Sequence, residues 1–213
     1  MERFLTPARL WPAGVTRLHV YLLPDLTVDA GLAGLLSRCR AVLDTVPFVA
    51  AVPDPWLHAT VQMITGRAAA QISTHERQRL VAALTAALAD VPACSLTVGS
   101  VMASASGVVA DMDGDLPGEP FHEIYLRCRQ AIADALGPDA IAYETLPPHL
   151  TLGYGIAPGD SGTVQSALRR QVRPSHATMT VRQVHLLDVV QDADRSQYRW
   201  TPVARIPLGA GPR

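Results

Sequence analysis

Two short stretches of the chain place a histidine and a threonine two residues apart behind a proline turn. The first is Pro55-Trp56-Leu57-His58-Ala59-Thr60-Val61, and the second is Pro147-Pro148-His149-Leu150-Thr151-Leu152. Each reads as a turn running into a strand, and side chains alternate faces along a strand. His58, Thr60 and Gln62 then share one face, opposite Ala59, Val61 and Met63. Likewise His149, Thr151 and Gly153 lie opposite Leu150, Leu152 and Tyr154. The apolar sets belong to a core and the polar sets to a cleft. If the stretches face each other, two imidazoles and two hydroxyls converge. That group suits cleavage of a phosphodiester by an oxygen nucleophile. A neutral imidazole takes the proton of the nucleophile, and a protonated one supplies the departing oxygen. The hydroxyls hold the non-bridging oxygens as charge builds. The scheme calls for neither a metal nor a cofactor, and none is expected.

A histidine followed two residues later by threonine is cheap on its own. With 7 His and 15 Thr in 213 residues, chance supplies roughly half a match. This chain has three, the third being His176-Ala177-Thr178-Met179. No proline turn abuts His176 directly, and a long strand with no helix after it follows, so the pair His58 and His149 is preferred. Strand parity adds substrate-binding candidates. Trp56 shares a face with His58 and could stack on a base, a contact worth ~1–3 kcal/mol; its competing role is a core anchor beside the turn. On the first strand Arg17, His19 and Tyr21 share a polar face, mirrored by Gln183 and His185 on a late strand. The site expected from residues alone is thus His58, His149, Thr60 and Thr151 for catalysis, with Trp56, Gln62, Tyr21, His19 and His185 around the substrate.

The elements that must hold these residues follow from apolar periodicity. Strands are expected at Arg17–Leu23, Phe48–Val52, Leu57–Ile64, Ser95–Met102, Gly107–Met112, His149–Tyr154, Thr178–Val190 and Tyr198–Ile206. Helices are expected after a cap at Asp29, from Thr74 to Leu88, from Phe121 to Leu136 and from Ser161 or Thr163 to Val172. The third helix would bury Ile124, Leu126, Cys128, Ile132 and Leu136. The alternation is too irregular for a doubly wound parallel sheet, and the class is α+β. The two halves repeat one order of helix, proline turn, strand, glycine and helix. This predicts a bilobal, pseudo-twofold domain with a central groove. Residues 1–15 form an N-terminal extension, about 16–92 the first half and about 93–208 the second, with termini able to cross between lobes.

Composition narrows the function. Apolar residues make up 48% and charged residues 17%, as in a globular protein. The charge is −1, from 18 basic and 19 acidic residues, which excludes binding by blanket phosphate neutralisation. All the basic residues are Arg, so neither a Schiff-base lysine nor a P-loop lysine exists. Cys39, Cys94 and Cys128 have no metal-ligand or disulfide spacing and read as reduced thiols. Residues 1–14 lack the pattern of a signal peptide, and no run approaches the ~20 apolar residues of a membrane span. A cytoplasmic monomer without a membrane partner or an extended nucleic-acid surface is expected, acting on a small nucleotide or an RNA end.

The paired motifs, their 91-residue separation and the opening strand resemble the two-histidine phosphoesterase superfamily, above all its 2′-5′ RNA ligase and cyclic phosphodiesterase members. The resemblance runs from about Arg17 to Leu208. It implies two antiparallel sheets lining a groove with helices outside. It also implies His58 and His149 as acid and base, Thr60 and Thr151 as phosphate ligands, and substrates such as 2′,3′-cyclic phosphates, other nucleotide cyclic phosphates or 2′-5′ linkages. The expected activity is a metal-independent phosphodiesterase; the alternatives are a non-catalytic nucleotide or RNA-end binder and a reversible 2′-5′ RNA ligase. Where RNA-processing members often carry a basic residue after the first motif, this chain has Gln62, with Arg67 as the nearby candidate to compensate.

Overall fold

The computed structural model describes residues 1–209. In chain order the elements are β1 (Arg17–Leu22), α1 (Ala30–Leu43), β2 (Val49–Ala51), β3 (Ala59–Ile64), α2 (Thr74–Leu88), β4 (Cys94–Ala103), β5 (Gly107–Met112), α3 (Pro120–Leu136), β6 (His149–Gly155), α4 (Ser161–Gln171), β7 (Ala177–Val181), β8 (Gln183–Asp192) and β9 (Gln197–Pro207). The fold is α+β. The strands pair antiparallel in the order β7-β4-β5-β6-β3-β1-β8-β9, with β2 also on β6. The expected two sheets are joined into one. The seam between β3 and β6 consists of a single register pair, Ala59 with Leu150.

Each lobe draws on both halves of the chain. Strands β8 and β9 return to lie beside β1, and α3 packs on α2 and β3. Helix α1 packs on α4 and on β2, β6 and β7. The helices cover one face of the sheet with Leu32, Leu35, Leu36, Leu80, Leu84, Phe121, Ile124 and Ile132, all essentially inaccessible to water. Removing each such side chain from water is worth about 1.5–3 kcal/mol. Leu126 departs from the expected face of α3. It is two residues, or about 200°, from Ile124 around the helix and is 46% exposed.

Local chemistry sets the element ends. Ser73 Oγ accepts from the Glu76 backbone N–H while the Glu76 carboxylate accepts from the Ser73 N–H, a reciprocal cap for α2. Asp160 caps α4 through the N–H groups of Gly162 and Thr163. Asp29 does not cap α1. Its buried carboxylate instead accepts from the Thr180 backbone N–H and Oγ–H, at 2.8 and 2.7 Å, tying α1 to β7. The long strand expected over Thr178–Val190 is two strands separated by a bend at Arg182. β7 bonds to β4 in one lobe, and β8 bonds to β1 and β9 in the other. No glycine or proline marks this switch; the sequence signal is a one-residue phase shift, with Met179 and Val181 buried before Arg182 and Val184 and Leu186 after it. No described helix is long and apolar enough to cross a membrane.

Candidate active site

The seam of the sheet brings the two motifs together. Ala59 pairs with Leu150, the middle residue of one motif with the middle residue of the other. In an antiparallel pair this register sets His58 beside Thr151 and Thr60 beside His149, all four on the face opposite Ala59 and Leu150. His58, Thr60, His149 and Thr151 all line one cavity of about 710 Å³ on that face.

The proline turns act on the imidazoles directly. Pro53 to Trp56 form a short 3-10 turn, and the Trp56 carbonyl at its end accepts from His58 Nδ1–H at 2.9 Å. At the second motif the Pro147 carbonyl accepts from His149 Nδ1–H at 3.1 Å. A carbonyl can only accept, so each contact holds the proton on Nδ1 and leaves Nε2 as the nitrogen free to act. The second turn thus repeats the first at the same offset, two residues before the histidine.

Both motif strands then break step at the same place. Opposite β1, Val61 has no register partner, because Val20 pairs with Gln62 and Tyr21 with Thr60. Opposite β5, Leu152 is skipped, because Val108 pairs with Gly153 and Val109 with Thr151. Each is a bulge, and one extra residue inverts the facing of everything after it. The Val61 carbonyl accepts from Thr145 Oγ at 2.5 Å, which fixes the first bulge. This corrects two expectations from strict alternation. Gln62 points away from the cavity and is buried against α3, where its Oε1 accepts from Arg129 at 2.8 Å and its Nε2 donates to the carbonyls of Met63 and Tyr143. Gly153 likewise faces helix α1, where an added Cβ would meet Leu43 and Val49. Met63 and Tyr154, each five residues beyond its histidine, line the cavity instead.

The two histidines differ in their surroundings. His58 is 3% exposed. The Tyr21 ring stacks on it with centroids 4.2 Å apart and planes 18° apart, and the Trp200 ring meets it edge-on at 5.3 Å. Burial, with a smaller contribution from His149, lowers the pKa of His58 to about 4 despite the Trp56 carbonyl, which favours the cation. His149 is partly exposed, and among the described residues no aromatic ring packs on it.

The remaining expected substrate contacts lie elsewhere. Tyr21 and His19 occupy the predicted face of β1 but at a depth the pattern could not give. Both are fully buried, with Tyr21 behind His58 and His19 Nδ1 2.5 Å from the Tyr21 hydroxyl. Burial pushes the His19 pKa well below its usual value. His185 pairs opposite Tyr21 and shares its face but lies outside the cavity, 3.1 Å from Gln183 Nε2. Trp56 borders a separate hollow with Trp200, under the Arg199 guanidinium at 4.8 Å. Arg67 does not compensate for Gln62, since it pairs with Glu76 at 2.9 Å beside α2. His176 is exposed, bonded to Ser175, and outside the cavity.

What periodicity missed is the N-terminal segment. Residues 1–11 run along the cavity, where Phe4, Leu5, Arg9 and Trp11 form a wall. Phe4 stacks on Tyr154 at 4.4 Å, and its N–H donates to the Gly155 carbonyl. Gln191 grips the other end, its Oε1 accepting from the Trp11 N–H at 2.7 Å and its Nε2 donating to the Arg9 carbonyl at 3.1 Å. The one available signal was the set Phe4, Leu5, Leu10 and Trp11, too apolar for a free extension. The cations facing the cavity are Arg9 and Arg17, and Glu144 is the acid among its lining residues. Among the described residues no group of three or more His, Cys, Asp or Glu could hold a metal ion.

With the fold and the facing motifs established, the comparisons define the class: the chain belongs to the 2′-5′ RNA ligase superfamily, the two-histidine phosphoesterases, whose family model matches residues 15–193. No curated protein matches the sequence. Among solved structures it is similar to TT0787 of Thermus thermophilus, with a TM-score of 0.66 and 17% identity over 92% of this chain and 100% of that one. A structure described as a phosphoesterase has a TM-score of 0.61 at 15% identity, over 91% and 99% of the two chains. LigT of E. coli in its apo form has a TM-score of 0.60 at 15% identity, over 92% and 98%. At these identities the likeness concerns the fold.

Proposed function

We propose that this protein hydrolyses a cyclic, 2′,3′-type, or 2′-linked nucleotide phosphodiester by general acid/base catalysis without a metal, with His58 as base and His149 as acid. The observation that carries this reading is the pair of Nδ1–H contacts to the Trp56 and Pro147 carbonyls, which leave two Nε2 atoms free beside two threonine hydroxyls in one cavity. His58, neutral above about pH 4, removes a proton from water through Nε2. The water oxygen bonds to phosphorus, and the bond from phosphorus to one ribose oxygen breaks. His149 Nε2–H protonates that oxygen. The product leaves as a phosphomonoester, and the proton held by His58 returns to His149 through solvent. Thr60 and Thr151 donate to the non-bridging oxygens. LigT structures carrying phosphate, ATP, 3′-AMP and NADP+ support a ligand of nucleotide type for this fold.

The test is turnover of a panel of 2′,3′-cyclic nucleotides and oligonucleotides ending in a cyclic phosphate, with and without a chelator. Cleavage that is insensitive to chelator and lost in His58→Ala and His149→Ala is expected. Binding of the panel without any turnover would favour a non-catalytic role.

A further inference from the structure

The cavity holds two guanidinium groups that the reaction at the threonines does not use. Ion pairs occupy Arg40, Arg67, Arg77, Arg127, Arg195 and Arg199. Among the described residues Arg9 and Arg17 have no carboxylate within ion-pair distance, yet both line the cavity. Arg17 Nη1 donates to the Thr65 carbonyl, its guanidinium lies over Trp11 at 5.5 Å, and its Nε is buried without a partner. Among the described residues the side-chain hydrogen bond of Arg9 is a 3.4 Å approach to the Phe4 carbonyl, too long to be a strong one. The backbone of Arg9 is held in place by Gln191. A cation kept at a cavity wall with donors unused is stabilised by an anion.

At Arg17 that anion is not the scissile phosphate. Arg17 is fastened to the carbonyl of Thr65, five residues along the chain from Thr60. Five strand residues span roughly 15 Å, so the guanidinium stands well away from the threonine pair. The same cavity is lined by the rings of Trp11, Tyr143, Tyr154 and Tyr198. The cavity volume of about 710 Å³ falls within the range of sites for molecules of nucleotide size. Arg9 lies in the segment 1–14, outside the family match at 15–193, and Arg17 lies within it.

We propose that Arg9 and Arg17 form a second anion subsite, and that the substrate carries a further phosphate besides the one that reacts. The inference rests on the reading of the cavity as a nucleotide phosphodiester site, which it deepens. It makes the N-terminal segment a specificity element: Arg9 recognises the distal phosphate and Trp11 covers the nucleoside between.

Calorimetric binding of adenosine 2′-monophosphate and adenosine 2′,5′-bisphosphate tests this without requiring turnover. In the wild type the second phosphate should tighten Kd by about tenfold or more, and the slope of log K against log salt should steepen by about one. In Arg9→Gln the advantage of the bisphosphate should shrink below about threefold. Arg9 is exposed, so this variant keeps the fold; Arg17→Gln provides the second, more buried variant, with its melting curve as the check on folding. Equal affinity of the wild type for both nucleotides, no binding of either, or an undiminished advantage in Arg9→Gln would overturn the subsite. The two readings fail separately. Cyclic nucleotide turnover with no gain from the second phosphate removes only the subsite. A gain without turnover of any cyclic phosphate removes the phosphodiesterase assignment and leaves the subsite standing.

Discussion

The two motifs share a backbone design and differ in their surroundings. Each has a proline turn whose carbonyl holds a histidine Nδ1–H, a threonine two residues on, and a bulge directly after it. Around His58 the lobe closes with Tyr21 and Trp200, whereas His149 stays partly open. A duplicated backbone alone would give two equivalent imidazoles. The packing makes them unequal, and an acid/base pair needs unequal members. The backbone thus places the two Nε2 atoms alike, and burial lowers the pKa of His58.

The comparison breaks hardest when either imidazole is removed. His58→Ala and His149→Ala should each cost ~10²–10⁴-fold in kcat with a 2′,3′-cyclic nucleotide. The double variant should lose less than the product of the two, because the pair works as a unit. His176→Ala, outside the cavity, should keep full activity in the same assay.

The buried side of the site should also show in stability. His58 titrates at about 4 in the folded protein and at about 6.5 unfolded, so the unfolded chain binds the additional proton between those values. Stability is therefore highest above pH 6.5 and falls as pH drops toward 4, by about 3 kcal/mol from this group alone. Buried His19 acts in the same direction. Urea unfolding at pH 7.5 and 4.5 should show the loss, and His58→Gln should reduce it. An equal loss in the variant would place the effect elsewhere.

Two smaller effects test the symmetry of the hydroxyls and the asymmetry of the rings. Thr60→Val and Thr151→Val keep shape and remove a donor, and each should lower kcat about 10²-fold. Wild-type rates in both would remove the threonines from the mechanism. Trp200→Ala opens one side of His58 to water and should raise its pKa, a change read by an NMR titration of the imidazole. An unmoved His58 would mean that Trp200 does not desolvate it.

How far the sequence could be read depended on whether local rules held. His58, Thr60, His149 and Thr151 converge because alternation is intact from each histidine to its threonine. It fails one residue later, at Val61 and Leu152, since nothing in either residue type marks a bulge. Gln62 therefore lies on the face opposite to the expected one, while Tyr154 is buried in the core as expected but also borders the cavity. On β1 the face was legible but the depth was not, because Trp11 and His58 cover His19 and Tyr21. The break at Arg182 has a local signal, the adjacent polar pair Arg182 and Gln183 that shifts the apolar alternation by one residue, whereas the use of Asp29 as a tether to Thr180 is a tertiary event without one. The N-terminal wall followed the same rule: no periodicity marks residues 1–11, and their order comes from contacts with Tyr154 and Gln191.

The central claim, an unlike pair of histidines with His58 as the base, is tested most directly by the pH dependence of kcat/KM for a 2′,3′-cyclic nucleotide. That parameter reports the ionisations of the free enzyme, in which His58 is packed as described. The acid limb should have its midpoint near 4, with little loss of rate as pH falls to about 5. An acid limb near 6.5, falling tenfold per pH unit below it, would contradict the account by making His58 an ordinary solvated imidazole.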